Sequence, residues 1–183
     1  MAIKLTEFRA AQFSWKDLLR NRALSRPSAP AFTFLEGREP VAEWTFGELA
    51  VRVDRTAAWL ASEVGPGERA VLACPPGLEY VTALWACLAA GVVAVPVYPP
   101  DFYRQSTSIL RVAAIVEDTK AKQVLTTTAV LASLDRFTTQ RSLIGQLPWA
   151  AVDRVSGSGR VHRDARVDLN SVPFPEILAA SSG

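Results

Sequence analysis

The chain has 183 residues, 49% of them apolar and 21% charged, and its 20 basic and 18 acidic side chains leave a net charge of +2. That is the composition of a globular protein long enough for one domain or for part of a larger one. Such an even balance gives no argument for nucleic acid or an anionic membrane as a partner.

Two cysteines, Cys74 and Cys87, lie in apolar surroundings without a CxxC pair. They read as small buried thiols of a reducing compartment rather than as a disulfide or a metal site. The single histidine, His162, sits among charges in "RVHRDAR" and reads as a solvated loop residue. "MAIKLTEFRA" mixes charges into its apolar residues and is not a signal peptide. The longest apolar run, Ala83 to Val97, is broken by Gly91 and falls short of the ~18 residues that span a bilayer. No membrane span and a cytoplasmic location are therefore expected.

In chain order, Ser14 caps a helix that runs to about Ser25, with Trp15, Leu18, Leu19 and Ala23 on one side. "RPSAP" stops it. "AFTFLE" and "VAEWT", separated by a polar turn containing Gly37, read as a hairpin. Thr45 and Glu48 form a capping box at the head of the next helix. Behind it Phe46, Leu49, Val53, Ala57, Leu60 and Val64 recur at the spacing of one buried helical stripe. "GPGE" ends that helix, and "RAVLAC" is a buried strand.

"PPGLEYVTALWACLAAG" predicts a helix with Leu78, Val81, Leu84, Trp85 and Leu88 inward, followed by the strand "VVAVPV". Ile109, Val112, Ala113 and Val116 mark a third helix of this series, and "KQVLTT" another strand. A helix around Ala129 to Leu134 and a strand at "WAAVD" follow. Strand and helix alternate throughout this middle part. The expected fold class is α/β, a mostly parallel sheet flanked by helices, with an N-terminal helix and hairpin. After Asp153 the chain turns polar and rich in loop formers, so residues 1–153 form the α/β unit and 154–183 a loop or linker.

Two glycine-rich stretches imitate nucleotide motifs. "GPGERA" (Gly65 to Ala70) has the letters of a dinucleotide fingerprint, but a helix precedes it and a strand follows, the reverse of what the mechanism needs. "SGSGR" (Ser156 to Arg160) lacks a strand-to-helix transition and reads as a surface loop. "VVAVPVYPP" (Val92 to Pro100) is different. A buried strand ends in Pro96, Pro99 and Pro100 around Tyr98. Either the prolines only stop the strand and protect its edge, or Tyr98, Pro99 and Pro100 form a stiff wall of a pocket beyond the strand end.

"LLRNRALSRPSAPAFTFL", "EWTFGELAVRVDRTAAWL", "GERAVLACPPGLEYVTALWACLAAGVVAVPVYPP" and "ILRVAAIVEDTKAKQVLTT" resemble, in order and spacing, the N-terminal domain of the adenylate-forming enzymes. That superfamily holds acyl-CoA synthetases, nonribosomal adenylation domains and luciferases. Within it "PVYPP" looks most like the fatty acyl-AMP ligases. The resemblance implies a ligase that uses ATP and Mg to turn a fatty acid into acyl-AMP. The acyl group then passes to an acyl carrier protein of a polyketide or lipopeptide synthase.

It also implies a phosphate-binding loop that opens with two Ser/Thr residues and a glycine. Ser181, Ser182 and Gly183 match those three letters as a nucleotide-binding start; a chance match or a cloning scar is the alternative. No family catalytic residue and no metal ligand fall within residues 1–152, so residues 1–183 alone are expected to be inactive. A non-catalytic module of the same fold that docks a carrier protein or another subunit, and part of an acyl-CoA ligase, are the competing readings.

Overall fold

The computed structural model describes residues 15–100, 107–134 and 148–155. A first helix, α1 (Trp15–Ser25), leads into an antiparallel hairpin of β1 (Pro30–Glu36) and β2 (Glu39–Thr45). Gly37 turns the hairpin at φ +66. Thr33 donates its hydroxyl to Glu43 across the strands at 2.8 Å. The helix α1 touches the body along one narrow line, so Leu19 is buried while its neighbour Leu18, about 100° round the helix, is exposed. The expectation that Leu18 faces inward is thus corrected.

The next helix, α2 (Phe46–Glu63), starts where the capping box requires. The Glu48 backbone N–H donates to Thr45 Oγ1 at 3.3 Å, and the Thr45 N–H donates to Glu48 Oε2 at 3.0 Å. These bonds from Thr45, the backbone one first, hold the Glu48 carboxyl below its ordinary range. Its contribution to the helix is therefore present at neutral pH and lost as pH falls through that lowered value. The stripe Leu49, Val53, Ala57, Leu60 and Val64 is buried as its spacing demands. The Arg52 guanidinium lies over the Trp44 ring at 4.3 Å and ties helix to hairpin. Thr45→Ala should lower stability by about 1 kcal/mol, because an end donor of the helix loses its cap. Glu48→Ala should shift a denaturation midpoint less, and equal midpoints for the two variants and wild type would contradict this.

Beyond α2 the chain alternates β3 (Arg69–Leu72), α3 (Leu78–Ala90), β4 (Val93–Pro96), α4 (Thr107–Thr119), β5 (Gln123–Thr126), α5 (Thr128–Leu134) and β6 (Trp149–Ala151), which runs into a 3₁₀ turn at Val152–Arg154. The four strands pair in parallel in the order β4-β3-β5-β6. Side chains alternate between faces, as the two-residue period of a strand requires. Ala70, Leu72 and Leu125 join the core with α2 and α3. Val71, Ala73, Val95 and Val124 pack with Val112 of α4 on the opposite face. Ile109, Val130 and Leu134 join α4 to α5.

The inward face of α3 differs from the expected one. Ala83, Ala86, Cys87 and Ala90 are buried, whereas Val81, Leu84 and Trp85 are half-buried and Leu88 is exposed. This helix touches α2 on one side and β3 and β4 on the other. Small side chains let three layers approach closely, so the larger ones move to the flanks. Gly91 ends the helix at φ +69, a left-handed conformation that a side chain disfavours.

The turn "GPGE" joins α2 to β3 with Gly65 at φ +91 and Gly67 at φ +80. The Gly67 N–H donates to Gly91 O at 2.7 Å, binding the two helix-to-strand turns together. Arg69 donates Nε to Thr119 O at 2.9 Å and Nη2 to Lys120 O at 3.2 Å, closing the end of α4 against the sheet. Both features belong to the amino edge of the sheet. Of the stretch 154–183, only Arg154 and Val155 lie within the described residues, so "SGSGR", His162 and Ser181–Gly183 lie outside them. Among the described residues no helix is long and apolar enough to cross a membrane.

Candidate functional site at the carboxyl edge of the sheet

In a parallel α/β sheet, ligands meet the carboxyl ends of the strands, above all where the strand order reverses. Here β3 leads outward to β4, and the chain then crosses back to β5 on the other side of β3. The reversal lies between β3 and β5. Their pairing continues past the last ladder residue: the Ala73 N–H donates to Leu125 O at 2.8 Å, and Thr126 Oγ1 donates to Ala73 O at 2.8 Å. Thr126 is fully buried, so this side-chain bond is made out of reach of water.

Next to it the Cys74 thiol donates to Leu125 O at 3.6 Å. Burial first, then the Glu79 and Asp153 carboxylates, push this thiol up to about 12. Burial does the same to Cys87, also to about 12. Both stay un-ionised at neutral pH and neither can serve as a nucleophile, since thiolate is the reactive form. They are free buried thiols, as their setting in the sequence indicates.

The loop from β5 to α5 is held by the 3₁₀ turn that follows β6. The Thr128 N–H donates to Asp153 Oδ1 at 2.9 Å, across 25 residues of chain. Thr127 Oγ1 accepts from the Val130 N–H at 3.4 Å. Thr128 Oγ1 is buried and has no hydrogen-bond partner among the described residues. The threonine run Thr126 to Thr128 and Asp153 were not singled out by sequence reasoning. The available signal was three hydroxyl residues in a row at a strand end.

On the other side of β3 stands the proline segment. The Val93 N–H donates to Glu68 O at 2.8 Å and the Val97 N–H to Leu72 O at 3.0 Å. Alternation turns the backbone nitrogens of Ala94 and Pro96 away from β3, and Pro96, which has no N–H, occupies a position where that N–H would face outward. Beyond it Pro99 is half-buried and Pro100 buried, while Tyr98 is 87% exposed. Among the described residues no group of three or more His, Cys, Asp or Glu could hold a metal ion. No chemical step is derived through a metal here.

A four-stranded parallel sheet with helices on both faces and a leading helix and hairpin is the frame that the sequence pattern implied. Residues 19–179 match the family described as AMP-binding enzyme, and the chain belongs to that family. Within that family it is similar to fatty-acid ligases. It is 34% identical over 141 residues to JamA of Moorena producens, a medium-chain-fatty-acid–acyl-carrier-protein ligase, covering 76% of this chain and 24% of the relative. It is 32% identical over 142 residues to FadD23 of Mycobacterium tuberculosis, a long-chain-fatty-acid–AMP ligase, covering 75% and 24%. The structure of a fatty acid AMP ligase from Legionella pneumophila superposes with a TM-score of 0.64 at 31% identity, covering 78% of this chain and 24% of that one. The chain thus spans about a quarter of the length of the curated relatives it matches.

Proposed function

We propose that this chain is the N-terminal part of a ligase that activates a fatty acid with ATP and Mg to acyl-AMP and passes the acyl group to an acyl carrier protein. The observation that carries the reading is the likeness itself. About three quarters of the chain match fatty-acid ligases at 32–34% identity, and 78% of it superposes on a fatty acid AMP ligase with a TM-score of 0.64. In this reading residues 1–153 are the α/β subdomain, and 154–183 lead toward the phosphate-binding loop that Ser181, Ser182 and Gly183 open. ATP and Mg are then held by parts of the enzyme beyond the residues described above, and the carboxyl edge of the sheet faces the reaction.

The test is fatty-acid-dependent exchange of pyrophosphate into ATP, run with fatty acids of several lengths. The full-length protein should show it and should release acyl-AMP rather than acyl-CoA when free coenzyme A is supplied. Residues 1–183 alone should show none. Losing a single preorganised donor costs on the order of 10²–10³ in rate, and here the triphosphate clamp, the metal and the general electrostatic frame are missing together. No exchange by the full-length protein, or exchange by residues 1–183, would overturn the reading.

Pro99 and Pro100 are proposed as the fixed wall beside the acceptor's path. Both rings lock φ, and the buried Pro100 anchors the segment. Changing both to glycine in the full-length protein should alter the choice between carrier protein and free coenzyme A as acyl acceptor. Unchanged acceptor preference would leave the prolines as a strand stop only.

A further inference from the structure

The β1–β2 hairpin is patterned for a cover that the described residues do not supply. In its middle the pairing is regular: Phe32 with Trp44, Thr33 with Glu43 and Phe34 with Ala42. Successive side chains of a strand point to opposite faces. Phe32, Phe34, Ala42 and Trp44 therefore share one face, while Thr33 and Glu43, joined by their 2.8 Å hydrogen bond, lie on the other. An antiparallel sheet with one apolar and one polar face packs the first on a core and leaves the second in water. Here no residue of either strand is buried. Trp44 leans on the core and under Arg52. Its partner Phe32 is 37% exposed, Phe34 is only half-buried, and Ala42 is exposed.

The hairpin is also a sheet of its own, separate from the parallel one, so among the described residues neither strand has a neighbour on its outer side. Two strands alone are marginal in water, and a third strand or a packed face is what stabilises them. The size of the apolar face selects what covers it. A stable complex between separate molecules takes about 20–30 residues a side, because association must offset lost translational and rotational freedom. The face made by Phe32, Phe34, Ala42 and Trp44 is far too small for a second copy of the chain or a separate protein to hold by itself. A segment of the same polypeptide bears no such cost, since the chain already keeps it close. The relatives leave ample room for one, as the chain spans 24% of the length of both JamA and FadD23.

We infer that the apolar face of the β1–β2 hairpin is the docking surface for an apolar segment of the same polypeptide beyond residue 183. The inference rests on the reading of this chain as the N-terminal part of a longer ligase. It concerns how that ligase is assembled and not its chemistry.

The experiment is photo-crosslinking in the full-length protein, with the linked peptides mapped by mass spectrometry. Phe34→p-benzoylphenylalanine keeps an aromatic side chain on the face and should link, within its own chain, to a peptide beyond residue 183. The same replacement of Thr33, on the opposite face, should give no such link. A link from position 34 to a peptide within residues 1–183, a link to a second molecule, no link at all, or an equal yield from position 33 would each overturn the inference.

Hydrogen exchange of the wild-type full-length protein gives a reading free of any substitution. The amide groups of residues 30–45 should exchange more than about tenfold more slowly than in an unstructured chain, at every protein concentration, because a packed element opens rarely and an uncovered hairpin opens freely. Protection of about tenfold or less, or protection lost on dilution, would overturn the inference too. Fatty-acid-dependent pyrophosphate exchange reads out separately. Its presence without the crosslink would sink the docking surface and spare the ligase. Its absence with the crosslink in place would do the reverse.

Discussion

Leu60→Ala should destabilise the protein by about 2–5 kcal/mol, the range for emptying a well-packed aliphatic site. Leu60 has no exposed surface and lies in the core shared by α2, α3, β3 and β5. Its carbonyl also receives the N–H groups of Val64 at 2.9 Å and Gly65 at 3.0 Å, which end the helix. A cavity there is therefore backed by a hydrogen-bonded turn that cannot easily collapse into it. Urea or thermal denaturation would give the loss. A shift below about 0.5 kcal/mol would remove Leu60 from the load of the core. Leu84→Ala is the internal comparison. Leu84 is half-buried at the flank of α3, and its truncation should cost clearly less, because water already reaches part of the side chain.

Ala86→Leu should be damaging in the opposite sense. Ala86 is fully buried, and its neighbours on the inward face of α3 are Ala83, Cys87 and Ala90, all nearly inaccessible. Three added carbons at a fully buried position must displace packed neighbours, so the helix must move from the sheet or from α2. Overpacking of this kind costs about 1–3 kcal/mol. A sequence reading that buries the large residues of α3 predicts almost no penalty for an apolar enlargement at position 86. The two denaturation midpoints, Ala86→Leu and Leu84→Ala, together discriminate the two faces. Wild-type stability for Ala86→Leu would mean that the small-residue face is not the packed one.

What could be read without coordinates follows from how local each feature is. The capping box and the stripe of α2 are written within a few turns of helix, and both appear where the residues place them. The alternation of strands and helices likewise gave the parallel sheet, since each crossover is built from consecutive chain. The inward face of α3 was misread because periodicity weighs residues by hydrophobic bulk. The closeness of three layers instead selects for small side chains. The carboxyl-edge cluster left only its threonine run as a signal, and its partners were not legible. Thr128 and Asp153 are 25 residues apart, and Cys74 and Leu125 51 residues apart. Only the strand order brings them together. The proline segment could be singled out from its composition. That Tyr98 stands out from the surface while Pro100 is buried could not, because exposure depends on what packs around a strand end.

The outward turn of the Pro96 nitrogen bears on how the chain survives its own synthesis. Long-range parallel pairing forms slowly, and β4 borders the sheet among the described strands. While the rest of the polypeptide is still being made, that border is where a stray strand from another molecule would attach. A visiting strand finds an acceptor-only gap at Pro96 and, just past it, a segment whose rings forbid further ladder donors at Pro99 and Pro100. The same three residues that shape the exit of the strand thus act as a guard against intermolecular zippering during biogenesis. Glycine at these positions should raise the insoluble fraction on expression, separately from any change in the folded protein.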